Sequence, residues 1–238
     1  MRYFIDTEFL EGTQKTFFGK TKPTIDLISI GMVDENGREF YAISKDFNLK
    51  ETWNRWQQRT GEGDRNNIEP RLYWIRENVL KSIWKDLKNP VQDIEDAEYD
   101  KFNYRSMKYY IKKYGKTNKQ IAKEVKDFCY KGCNWNYPNK ENEIEFYAYF
   151  ADYNWVAFCW LFGNMMNLPN GFPMYCKDLK QMLDAGYMNQ EDKYEGMSRL
   201  DAYLKDIKKH KDYPTQSNEH NALDDAKWNL KLFNFLKI

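Results

Sequence analysis

The stretch Arg2–Leu10, RYFIDTEFL, decides how the rest of the chain is read. Its β-branched and aromatic residues suit a pleated strand, and on a strand Asp6 and Glu8, two apart, point to the same face. Acids flanked by Tyr3, Phe4, Ile5, Phe9 and Leu10 are costly unless something cationic neutralises them. A divalent metal meets that need, and hard carboxylate oxygens favour Mg²⁺ or Mn²⁺ over zinc.

Downstream, a polar loop is expected from Thr13 to Thr24. Ile25–Val33 (IDLISIGMV) and Phe40–Ser44 (FYAIS) then read as strands joined across Asn36-Gly37, so three antiparallel strands open the fold. From about 46 to 140 charges and aromatics mix. Arg59–Asn67 reads as a loop, while Pro70–Trp84 and Asn118–Tyr130 have helical spacing, with Ile121, Val125 and Phe128 on one face. Between them, Asp96–Lys116 is basic and rich in tyrosine, a solvated helix pair or a surface on which bases stack. Ile144–Phe150 reads as a buried strand and Val156–Phe162 as an apolar helix, which puts Ala151–Asn154 (ADYN) at a strand's C-terminal end, where open α/β sheets hold ligands. Phe172–Gly186 suggests a short strand or loop feeding a helix, and a last helix follows His220 with Ala222, Ala226, Leu230 and Phe233 on one face. The pattern is α/β around a mixed sheet flanked by helices: one domain, 1–238, with a helical insertion at about 46–140.

Composition excludes several classes. With 37 Lys+Arg against 36 Asp+Glu, net charge +1, there is no global pull toward a polyanion or an acidic membrane, so an anionic substrate needs a local site. The four cysteines, Cys129, Cys133, Cys159 and Cys176, lack CxxC spacing, and the stretch MRYFIDTEF has neither a basic n-region nor an apolar h-region. No apolar run approaches the roughly 20 residues of a membrane span. A reduced, soluble cytoplasmic protein is expected.

The chain holds only two histidines. His210 lies in a basic run and is assigned no role. His220 stands at a helix entrance, five residues before Asp225, so both can reach one cleft, and Ala222 between them lets the helix approach the sheet closely.

Together, FIDTEF, a middle motif after a strand, and H-x-A-x-x-D resemble the DEDDh 3′–5′ exonucleases of ribonuclease-H-like fold. The likeness is closer to the polyadenylate-specific exoribonuclease family of mycobacterial type, ribonuclease AS. It is carried by RYFIDTEF, DLISIGMVDENGREFYAIS, WIRENVL, DYNWVAFCWLFG and LPNGFP in similar order, and is thinner between Lys88 and Glu143. The resemblance implies a two-metal phosphodiesterase and a homodimer. Asp6, Glu8, a middle-motif acid and Asp225 would hold two Mg²⁺ or Mn²⁺ ions, with His220 as general base. The expected partner is single-stranded nucleic acid, RNA favoured over DNA, cleaved from its 3′ end to nucleoside 5′-monophosphates. Phe9 and Leu10 are placed to wedge against the terminal base, with core packing as the alternative. One position departs from the family: its middle Asp matches Asn154 here. Three explanations compete. Asp152 takes over as ligand, Asn154 binds through its amide oxygen or a water, or the substitution disables the enzyme. The reading adopted has both Asp152 and Asn154 facing the metals.

Overall fold

The structure, a computed structural model, describes residues 1–15, 19, 21–56, 72–88, 99–133, 143–188 and 199–236. A five-stranded sheet runs β3-β2-β1-β4-β5, with β1 Arg2–Lys15, β2 Thr21–Asp34, β3 Glu39–Ile43, β4 Glu145–Ala148 and β5 Lys177–Asp178. β1, β2 and β3 pair antiparallel, as their hairpin signals suggest, whereas β4 joins β1 and β5 joins β4 in parallel. The sheet is mixed and flanked by helices. This architecture is compatible with a ribonuclease-H-like fold.

The β2–β3 turn is held from inside. Buried Asp34 accepts the Asn36 and Arg38 amides and the Arg38 guanidinium, while Gly37 takes φ +82, which a side chain would resist. Both ends of the expected loop from Thr13 to Thr24 are instead ladder, from the Gly12–Thr24 pair to the Lys15–Thr21 pair, and residues 16–18 and 20 lie outside the described residues. Its polar side chains do not oppose strand, because cross-strand pairing already satisfies the backbone.

Alternation along β1 divides the molecule. Tyr3 and Ile5 enter a core with α4 (Asn118–Gly132) and α5 (Ala151–Leu161), which contribute Ile121, Val125, Cys129, Trp155 and Phe158. Phe4 points the other way, onto α6 (Leu179–Met188) and α8 (Ala222–Leu236), beside Leu179, Trp228, Leu232 and Phe233. Farther along, Leu10 and Ile28 pack on Val79, Leu80 and Ile83 from a π-helical turn (Arg76–Leu80) and α2 (Lys81–Lys88), and on Met107 and Ile111 of α3 (Tyr104–Tyr114). α1 (Leu49–Asn54) adds Leu49 and Trp53, and α7 (Arg199–Ile207) packs on α6. α4 falls within the expected insertion but builds the main core, because one face of it is apolar throughout. The expected Arg59–Asn67 loop lies outside the described residues.

α5 begins at Ala151, ahead of the expected Val156, and β4 stops at Ala148. Phe150, at φ +53, makes the sharp turn between them, so Ala151–Asn154 forms the first helical turn rather than a strand end. Among the described residues no helix is long and apolar enough to cross a membrane.

α8 meets β2 at a glycine. A Cβ on Gly31 would lie 2.1 Å from the Ala222 carbonyl oxygen, and Gly31 pairs directly with Asp6. Directly paired residues share a face, so this bare patch of β2 seats the start of α8 beside the acids. Gly31→Ala should destabilise the protein by about 3 kcal/mol or more, because backbone cannot yield as a flexible side chain can. Urea unfolding measures this, and wild-type stability in the variant would contradict the close approach.

Candidate active site

Asp6, Glu8, Asp225 and His220 converge on an open pocket of about 280 Å³, bordered also by Thr7, Phe9, Phe150, Tyr153, Asn154, Gln216 and Trp228. β1 supplies the first two acids on its α8-facing side. α8 brings Asp225 in its first turn, and the loop before it brings His220. Ligand atoms of Glu8, His220 and Asp225 lie within 4.8 Å of one another, and His220 Nδ1 is 4.0 Å from Glu8 Oε1.

Asp225 is tethered at both oxygens. Gln216 Nε2 donates to Oδ1 at 2.7 Å, and the His220 amide donates to Oδ2 at 2.9 Å. The second contact needs His220 at φ +67, in a loop that also holds Asn218 at φ +55. With Phe150, these are the three non-glycine residues at positive φ among those described, and Phe150 and His220 both border the pocket. Strain of this kind persists where surrounding structure enforces it, and it gathers at functional sites.

The carboxylates oppose one another. Burial, then the Asp225 charge, pushes Glu8 up to about 8. Asp6 is pushed well above the usual carboxylate range by burial, then by Glu8 and Asp225. Burial also raises Asp225, against the lowering effect of its Gln216 and His220 donors. Three crowded carboxylates offer hard oxygen donors that fit Mg²⁺ or Mn²⁺, with the His220 imidazole beside them.

Asn154 is buried on α5 and turned to β1 from its other side. Oδ1 accepts the Thr7 amide and the Thr7 hydroxyl, both at 2.7 Å, while Nδ2 donates to the carbonyls of Tyr149 (3.2 Å) and Phe150 (3.4 Å). Two carbonyls at one end and a backbone amide at the other fix which end is oxygen. The side chain thus ties β1 to the β4–α5 turn and also helps hold the Asp6 carboxyl down.

A family model for the Rv2179c-like 3′-5′ exoribonuclease domain matches residues 1–236. The chain belongs to this family. Two curated relatives from Mycobacterium tuberculosis, Rv2179c of strain H37Rv and MT2234.1 of strain CDC 1551, are named 3′-5′ exoribonucleases. Each is 27% identical over 236 residues, covering 99% of this chain and 93% of the relative. As an Rv2179c-like chain the protein is an enzyme, a 3′–5′ exonuclease.

Asp6, Glu8, His220 and Asp225 meet as the spacing of their motifs suggests. Phe9 also reaches the pocket, stacked on Tyr153 with centroids 5.7 Å apart. Leu10 does not: farther along β1 it is fully buried beneath the π-helical turn and α2. Of the two residues expected to wedge against a terminal base, only Phe9 borders the pocket. Asp152 lies exposed in the first turn of α5, off the pocket that Asn154 borders, because helical neighbours two apart diverge by about 200°. Gln216 and Thr7, which also border the pocket, carry no motif signal in the sequence. Nor does Asn229, which stands one helical turn after Asp225 and donates from Nδ2 to the Ile5 carbonyl at 2.9 Å.

Asn154→Asp sets a carboxylate oxygen against two carbonyls. The metal-free variant should lose about 2–4 kcal/mol, and Mn²⁺ should raise its Tm more than that of wild type. Equal Tm values without metal would contradict the assigned bonds. A second outcome concerns pH. Glu8 binds its proton more tightly folded than unfolded, so the stability it contributes is present below its ordinary 4.5 and is lost as pH rises toward about 8. In chelator, Tm should fall across that window, and Glu8→Gln should flatten the fall. An unaltered slope in Glu8→Gln would show that Glu8 is not the group responsible.

Proposed function

We propose that the protein removes nucleotides one at a time from the 3′ end of single-stranded RNA, releasing nucleoside 5′-monophosphates, as a homodimer. The observation that carries this reading is the convergence of Glu8, His220 and Asp225 within 4.8 Å beside Asp6, in a pocket rimmed by Phe9 and Tyr153. Asp6, Glu8 and Asp225 would hold two Mg²⁺ or Mn²⁺ ions, whose charge offsets the repulsion among these acids. When bound, such ions polarise the scissile phosphate and lower the pKa of water.

The chain's own residues do the rest. His220 takes the proton of the attacking water, whose oxygen bonds to phosphorus as the 3′-oxygen of the preceding nucleotide departs. Asp225, held by Gln216 and the His220 amide, keeps its carboxylate aimed into the pocket. Phe9, stacked on Tyr153, offers a flat apolar face to the terminal base. A second reading, a nucleic-acid binder without turnover, rests on Asn154, whose neutral amide is committed to Thr7, Tyr149 and Phe150.

Time-resolved cleavage of end-labelled RNA and DNA, with Mg²⁺ and with chelator, tests the proposal. RNA should shorten stepwise from its 3′ end, faster than DNA, and only with metal. Asp6→Ala and Glu8→Ala should abolish turnover with the fold intact by circular dichroism. His220→Ala should lower kcat by about two to four orders of magnitude with KM little changed. Full turnover in chelator would overturn the metal assignment, and binding without cleavage would favour the second reading.

A further inference from the structure

A general base is useful only if its ring is held, and His220 lacks the usual restraint. Among the described residues no hydrogen bond fixes its imidazole: its Nδ1 stands 4.0 Å from Glu8, beyond hydrogen-bond range, and the side chain is about one-third exposed. The ring instead meets Trp74, nearly perpendicular at 72°, with centroids 4.6 Å apart. Trp74 is itself anchored: its carbonyl accepts Asn78 Nδ2 at 2.9 Å, and it leads into the π-helical turn whose Val79 and Leu80 are buried. π-turns of this kind often mark functional positions.

The same segment grips the next residue. Asn221 is buried, caps α8 by accepting the Leu223 and Asp224 amides at Oδ1, and donates from Nδ2 to Asp86 of α2. Thus a single stretch, from Trp74 to Asp86, holds both His220 and Asn221, at the point where the backbone takes a left-handed turn.

We propose that this stretch is the clamp of the general base, with Trp74 the positioning residue that sets the imidazole's orientation. The proposal rests on the reading of His220 as the base. It gives the helical segment after β3 a role in the reaction that neither the carboxylates nor the sheet supplies. Trp74 need not touch the scissile phosphate; it acts through His220.

The test is a double-mutant cycle on the full chain, with kcat and KM measured on end-labelled RNA in Mg²⁺. Trp74→Ala should lower kcat by about 10- to 100-fold with KM within about two-fold, since small misplacements of a catalytic group are that costly. Trp74→Phe, which keeps an aromatic ring, should recover most of the loss. In a His220→Ala background, Trp74→Ala should cost less than about two-fold, because residues acting as one unit are not additive. Trp74→Leu keeps apolar bulk without a ring and takes the place of the alanine variant if that one does not fold. A second readout needs no turnover. With two histidines in the chain, the imidazole proton resonances are assigned by His210→Gln, and those of His220 should lose their ring-current displacement in Trp74→Ala. Equal loss in both backgrounds, or unmoved resonances, would overturn the clamp. Full activity in His220→Ala would instead sink the base assignment, and the clamp's purpose with it.

Discussion

Three carboxylates are held together on and beside the central strand against their own repulsion, and the rest of the site is arranged around that constraint. Asp6 and Glu8 share a face because strand residues two apart must, and Asp225 joins them because Gly31 lets the start of α8 lie on the sheet. Burial pushes all three carboxyls upward, and the charge of their neighbours in the cluster adds to this at Asp6 and Glu8. Donors from Gln216 and the His220 backbone relieve Asp225, and Asn154 with the Thr7 amide relieves Asp6, while among the described residues no such donor relieves Glu8. A cation among the three would offset their repulsion, and hard carboxylate oxygens suit small divalent ions.

The two sides of the sheet have separate tasks. The α4–α5 side is dense with aromatic rings, and there Asn154 ties Thr7 to the β4–α5 turn. The α8 side carries the acids and, through Trp74 and Asp86, gains support from the segment after β3. An Asn at position 154 suits a tether better than Asp would, because two carbonyls face its amide nitrogen. The chain thus holds its middle motif rigid by neutral hydrogen bonds where a carboxylate would need a cation for the same stability.

Much of this was legible in the residues. The alternation of β1, the Asn-Gly hairpin and the apolar faces of α4 and α8 are periodic signals that point to a mixed sheet with helices. The grouping of Asp6, Glu8, His220 and Asp225 came instead from the spacing of DxE and H-x-A-x-x-D and from the family resemblance those motifs carry. What escaped was set by tertiary packing. Leu10 sits beside Phe9 in sequence, and only the covering helices decide that it is core. The ribbon beyond Gly12 has loop-like composition, and its ladder depends on pairing across the hairpin rather than on propensity. Asp152 and Asn154 are separated by the start of α5, which follows from the left-handed turn at Phe150 and from no local preference of the residue. Trp74 lies 146 positions before His220, a distance across which no periodicity speaks.

The central claim is that Asp6, Glu8 and Asp225 form a cation site whose protons a metal must displace. Calorimetric titration of metal-free protein with Mn²⁺ near neutral pH, in buffers of different ionisation enthalpy, measures both binding and proton release. The account predicts tight binding with about one proton or more released per chain, most of it lost in Glu8→Gln. Binding without proton release, or binding unaffected by Glu8→Gln, would contradict it.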